Sequence, residues 1–154
     1  MSLVFLSCNP TTEEVLPKQL AGMRRVVSLS GENAQRFINR LHHKNVTPES
    51  SFIGEYTNAE GTAALYVSLY TDAKLAYSEG KRMSTLISEG KTPFGHLRQE
   101  SIQGVTIWKC RGMGQLHFFF SYRDRLYWLG VDSSIAEETF SDLFRQLVGD
   151  NQLT

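Results

Sequence analysis

Between Trp108 and Trp128, seven aromatic side chains (Trp108, Phe118, Phe119, Phe120, Tyr122, Tyr127 and Trp128) fall within 21 residues, in a segment whose polarity repeats every two positions. A period of two is that of a strand, whose successive side chains leave by opposite faces. Alternation sends Leu116, Phe118, Phe120 and Tyr122 to one face and His117, Phe119 and Ser121 to the other, so both faces of this sheet carry apolar surface. Three arrangements would cover the second face: helices laid over it, a subunit partner, or a ligand cleft lined together with Tyr66 and Tyr70.

The pattern around this segment predicts the rest of the sheet. Residues 26–29 read as a strand that stops at Ser30 and Gly31, after which Ala34, Phe37, Ile38 and Leu41 recur at helical spacing. Residues 52–57 and 62–71 are two further strands. In the second, Leu65, Val67 and Leu69 share one face and Tyr66, Ser68 and Tyr70 the other. Thr71 or Asp72 caps a helix with an apolar stripe of Ala73, Ala76, Met83, Leu86 and Ile87. Gly80 interrupts that stripe at a cost of about 1 kcal/mol relative to Ala, which points to close packing or a bend. Gly90 and Pro93 end the helix. Strands 94–102, 105–111, 115–122 and 125–131 then follow as an antiparallel meander, and a last helix carries Ala136, Phe140, Leu143, Phe144 and Leu147, with a capping-box pattern of Ser134 and Glu137.

Strands and helices do not alternate singly, so a parallel doubly wound sheet is excluded in favour of an α+β domain. The expectation is a mainly antiparallel sheet of about six or seven strands with three helices packed on it, its first six elements matching an elaborated ferredoxin-like βαββαβ core. Residues 24–150 form the single domain, 1–23 a lead-in or tether, and 151–154 a tail. At 154 residues and 41% hydrophobic, the chain buries a sizeable core and is not disordered.

Sixteen basic residues balance sixteen acidic ones. No broad field attracts nucleic acid or an anionic membrane, and Arg24 with Arg25, and Arg36, Arg40 and Lys44, are diluted into ordinary solvated faces. Nucleic acid is not expected as a partner. No apolar run reaches the length of a membrane span. The apolar stretch 3–6, ending at Ser7 and Cys8, has two readings: the tail of a lipoprotein signal with Cys8 as the lipidation site, or a frayed terminus with a free thiol. A lipid on Cys8 would be the chain's link to a membrane and places it on the bacterial cell envelope; without it the chain reads as cytoplasmic.

Chemistry-bearing motifs are sparse. Cys8 and Cys110 form no disulfide framework and no CxxC site, and Cys110 alternates with Thr106 and Trp108 as a small buried hydrophobe. Adjacent His42 and His43 diverge by about 100° on a helix and suit its C-terminal end better than a shared ion. His117 would need His96 or an acid brought to it by the fold to hold a metal. No serine sits in GxSxG. Gly112, Met113 and Gly114 lack the third glycine and following helix of a dinucleotide loop and read as a strand-connecting turn. Asn45 to Thr47 fits the NxT glycosylation pattern. No cofactor or metal is expected.

What results is a non-catalytic binding or assembly domain acting through an aromatic-rich sheet face of Tyr66, Tyr70, Trp108, His117, Phe119, Tyr127 and Trp128, with His117 its pH-sensitive member. Its partner is a small apolar ligand, another protein, or a second copy in a homo-oligomer. The alternative is a small enzyme with His117 or Cys110 in a pocket, which requires a histidine within reach of a thiol, hydroxyl or carboxylate.

Overall fold

The structure, a computed structural model, describes residues 9–42 and 48–149, with side chains for 9–39 and 48–149. Cys8, His43 and the NxT pattern lie outside the described residues, as does the side chain of His42. In chain order the elements are α1 (Thr12–Val15), β1 (Gln19–Leu20), β2 (Met23–Ser30), α2 (Gly31–His42), β3 (Ser50–Thr57), β4 (Thr62–Leu69), α3 (Ala73–Ser88), β5 (Gly95–Ile102), β6 (Val105–Gly112), β7 (Gln115–Tyr122), β8 (Arg125–Val131), a 3₁₀ turn (Ser133–Ile135) and α4 (Ala136–Val148).

Among the described residues the fold is α+β: one eight-stranded antiparallel sheet with four helices, three of them longer than two turns. The strands number eight rather than six or seven, because Gln19–Leu20 adds a short edge strand that pairs with Met23 and Arg24. The order is β1-β2-β3-β4-β8-β7-β6-β5. Two meanders, β1 to β4 and β5 to β8, thus meet along β4 and β8, with Ala64 opposite Gly130, Tyr66 opposite Trp128 and Ser68 opposite Leu126. The strand order does not show the ferredoxin-like arrangement. In a split βαβ unit the strands flanking a helix run parallel with another between them, whereas β2 and β3 are direct antiparallel neighbours and β5 lies at the far edge.

Local chemistry sets the element ends. Asp72 caps α3 through its carboxylate, which accepts from the Leu75 amide at 2.7 Å. Gly90 follows α3 with φ of +71°, a conformation that costs glycine little. Met113 and Gly114, both at positive φ, form the two-residue turn between β6 and β7, so Gly112 belongs to a strand and not to an anion-binding loop. The expected Ser134–Glu137 box does not form. A 3₁₀ turn intervenes, Ile135 stands at the start of α4, and no side chain caps it.

The two faces of the sheet are covered differently. On the first, α4 lays Phe140 and Phe144 against Phe118, Phe120, Leu129 and Val131. Phe118 stacks on Phe140 with centroids 4.6 Å apart, and Phe120 meets Phe144 edge-on at 5.9 Å. The segment read from sequence as a lead-in joins this core: Val15, Leu16 and Leu20 are buried in it. Tyr56 donates to the Pro17 carbonyl at 2.6 Å, Arg25 to the Leu16 carbonyl at 2.9 Å, and Asp142 of α4 accepts from the Ala21 amide at 2.8 Å.

The second face carries α2 and α3. The first connects adjacent strands, so it lies over them, with Ala34 and Ile38 on Ile53 of β3. By contrast α3 links the central β4 to the distant edge β5 and must cross the intervening strands. It buries Ala76, Met83 and Ile87 against Trp108, Cys110, Phe119 and Leu126. Gly80 is the point of closest approach: a Cβ there would lie 3.0 Å from Trp108 Cζ3 and 3.2 Å from Leu126 Cδ1. The glycine inside the apolar stripe reflects packing.

Candidate functional site

Between the strands under α2 and those under α3 lies the central seam of β4 and β8, which α3 covers at Leu126 and which stays part-exposed at Ala64, Tyr66 and Trp128. A cleft of about 390 Å³ opens there. Its floor is the row of cross-strand pairs Ala64–Gly130, Tyr66–Trp128 and Ser68–Leu126. Gly130 makes room for the His117 ring, since a Cβ there would lie 3.0 Å from His117 Cε1. Phe37 and Ile38 of α2 form one wall; Met83, Leu86 and Ile87 of α3 the other; Pro93, Phe94 and Met113 close one end. This volume lies within the range of small-molecule sites, roughly 300–1,000 Å³, and the walls are mostly apolar, as in such sites.

The aromatic side chains form two groups around the seam. Phe37 stacks on Tyr66 at 6.0 Å. Opposite, a continuous series runs from Tyr77 to Trp108, Phe119 and Trp128, with successive centroids 5.8, 5.3 and 4.7 Å apart. Phe94 packs on the far side of Trp128 at 5.1 Å and edge-on to His117 at 4.8 Å. Gly112 makes room for it, since a Cβ there would stand 2.6 Å from Phe94 Cδ1.

His117 fixes the orientation of Trp128. The Trp128 indole Nε1–H donates to His117 Nδ1 at 3.0 Å, and His117 Nε2 lies 2.9 Å from the Gly112 carbonyl oxygen. An indole only donates and a carbonyl only accepts, so the imidazole is neutral with its proton on Nε2. Burial, which penalises the charged ring, holds its pKa below the usual histidine value, against a smaller opposing effect of the Gly112 hydrogen bond. Both nitrogens are occupied, and neither faces a thiol, hydroxyl or carboxylate. The lone pair of His117, on Nδ1, is engaged by the Trp128 indole N–H. Cys110, its cross-strand neighbour, is fully buried, and burial pushes its thiol up to about 12, far from the thiolate a nucleophile requires.

Of the seven residues read from sequence as one surface, the structure brings Tyr66, His117 and Trp128 together in the cleft. Tyr70, Trp108 and Phe119 are on the same face but buried beneath α3. Tyr127 is on the opposite face, stacked on Phe120 at 5.2 Å. Adjacent strand residues point to opposite sides, so Tyr127 and Trp128 cannot share a surface. Sequence reasoning missed Phe37, Met83, Leu86 and Phe94 as cleft residues. The first three were visible as apolar helix positions, with nothing local to show that they border a gap.

Among the described residues, two basic side chains, Arg82 and Lys91, reach the cleft, and no acidic one lines it. Each has an acidic partner outside: Glu79 accepts from Arg82 Nε at 3.1 Å and Nη2 at 2.9 Å, and Lys91 pairs with Glu89 at 2.8 Å. Among the described residues no three His, Cys, Asp or Glu side chains cluster as metal ligands, and no helix is long and apolar enough to cross a membrane. No family model, curated protein or solved structure matches the chain.

Proposed function

We propose that this is a non-catalytic binding domain whose ligand is a small apolar molecule held in the cleft between α2 and α3. The single observation that carries the reading is the apolar cleft over the β4–β8 seam, in a domain whose other sheet face is filled by its own side chains. Filling it would remove apolar surface from water at roughly 25 cal/mol per Å² before association costs. The aromatic pair Tyr66 and Trp128 offers flat contact area, and the His117 hydrogen bond holds the Trp128 ring before a ligand arrives, which lowers the ordering cost of binding. The enzyme alternative finds no such support, because His117 and Cys110 are occupied or buried in the ways described above.

The test is titration with the neutral fluorescent probe N-phenyl-1-naphthylamine. Wild-type protein should give a saturable rise in emission at one probe per chain. Ala64→Phe, which places a ring on the cleft floor, should abolish it while the melting transition remains cooperative. No saturable signal, or one unchanged by Ala64→Phe, would overturn the proposal.

A further inference from the structure

We infer that the ligand is an amphiphilic anion: an apolar body with a carboxylate or comparable acidic group at its end. This rests on the cleft being the binding site, as proposed above. The observation behind it is the distribution of charge. Arg82 and Lys91 are the charged side chains that line the cleft, and both are positive. Their acidic partners do not line the cleft: Glu79 lies one helical turn before Arg82, and Glu89 two residues before Lys91. Glu55, the acid whose charge acts on Tyr66, is exposed on β3 and does not line the cleft. Among the described residues that line the cleft, a negative group thus meets two cations and no carboxylate.

Neither existing ion pair removes this bias. Glu79 engages Arg82 through one oxygen, Oε2, and through Nε and Nη2, so Nη1 is outside the fork and can donate to a ligand carboxylate. The Lys91–Glu89 pair is exposed on both sides, with side-chain accessibilities of 64% and 46%. Exposed pairs of this kind exchange partners at little cost. The floor is long as well as narrow. From Ser68 to Ala64 it spans four residue steps of β4, about 13 Å at the usual rise of a strand. Arg82 of α3 and Lys91 of the following loop flank this trough, whose interior is Tyr66, Trp128 and the aliphatic side chains of α3. An elongated apolar chain fits the interior and its acidic end fits a flank.

Three probes with the same tail and different heads separate this inference from the cleft reading: decanoate, 1-decanol and decyltrimethylammonium, each titrated by calorimetry below its micelle concentration. Decanoate should bind about tenfold more tightly than the other two, the effect of a charge-assisted hydrogen bond. The double variant Arg82→Gln with Lys91→Gln should lose that advantage and keep its affinity for decanol, and added salt should weaken decanoate alone. Equal binding of all three, or tighter binding of the cation, would overturn the anion inference and leave the apolar cleft standing. Binding of none would overturn both.

Discussion

Trp128 keeps its place in the cleft only while His117 offers a lone pair at Nδ1, so protonation of a single ring reaches the centre of the site. A proton on Nδ1 would set two donors against each other across 3.0 Å. The folded state holds the His117 pKa below the unfolded value of about 6.5. Its contribution to stability is therefore complete above that unfolded value and is lost as pH falls through it toward the lower folded pKa. Wild-type protein should lose more stability between pH 7.5 and pH 5.5 than His117→Phe does, as read by urea unfolding at each pH. Parallel losses would contradict the assignment. At neutral pH the same variant removes the His117 partner of the part-buried Gly112 carbonyl and Trp128 N–H, at a cost of about 1 kcal/mol for each hydrogen bond. At this scale the sequence was partly legible. Alternation along β7 and β8 separates His117 from Phe118 and Trp128 from Tyr127, and that rule, applied strictly, removes Tyr127 from the site. The hydrogen bond between His117 and Trp128 was not legible, because it joins residues eleven positions apart on neighbouring strands and leaves no local pattern.

Among the elements, α3 decides which aromatic side chains are buried and which are available. Its Gly80 lies against Trp108, so two effects of Gly80→Ala oppose each other: a helix-propensity gain of about 1 kcal/mol and an overpacking cost of about 1–3 kcal/mol. The ring at 3.0 Å is held by Phe119 at 5.3 Å and by a hydrogen bond from Trp108 Nε1 to Gln99 at 3.1 Å, so it yields little. A net loss of up to about 2 kcal/mol is expected in chemical denaturation, and a gain would show that α3 has slack over β6. The N-terminal segment is the second decisive element. Leu16 is 1% exposed within the α4-side core, so Leu16→Ala should cost about 2–5 kcal/mol, whereas a loosely attached lead-in would lose almost nothing. Helix α3 could be read from its stripe and its Asp72 cap, and strands 115–122 and 125–131 from their period. The short β1 could not, since two residues carry no periodicity. The path of α3 across the sheet was equally hidden, because the pairing of β4 with β8 joins residues far apart in the chain, from Leu69 with Arg125 to Ala63 with Val131.

For the whole molecule, the architecture separates covering from binding. One face is closed by α4 and the N-terminal segment; the other is covered by α2 and α3, with the seam where the two meanders join left part-exposed at Ala64, Tyr66 and Trp128. A sheet that used its aromatic face for obligate dimerisation would need Trp108 and Phe119 exposed, and both are buried at 2% and 0%. The melting temperature should accordingly stay constant over a wide dilution series, where an obligate dimer would melt lower as it is diluted. The most direct measurement of the central claim uses the two tryptophans as internal reporters. In a ¹⁵N–¹H spectrum, Trp128 in the cleft and Trp108 beneath α3 each give one indole N–H signal. On addition of N-phenyl-1-naphthylamine the Trp128 signal should shift to saturation while that of Trp108 holds its position. A shift confined to Trp108, or no shift of either, would contradict a binding site at the β4–β8 seam.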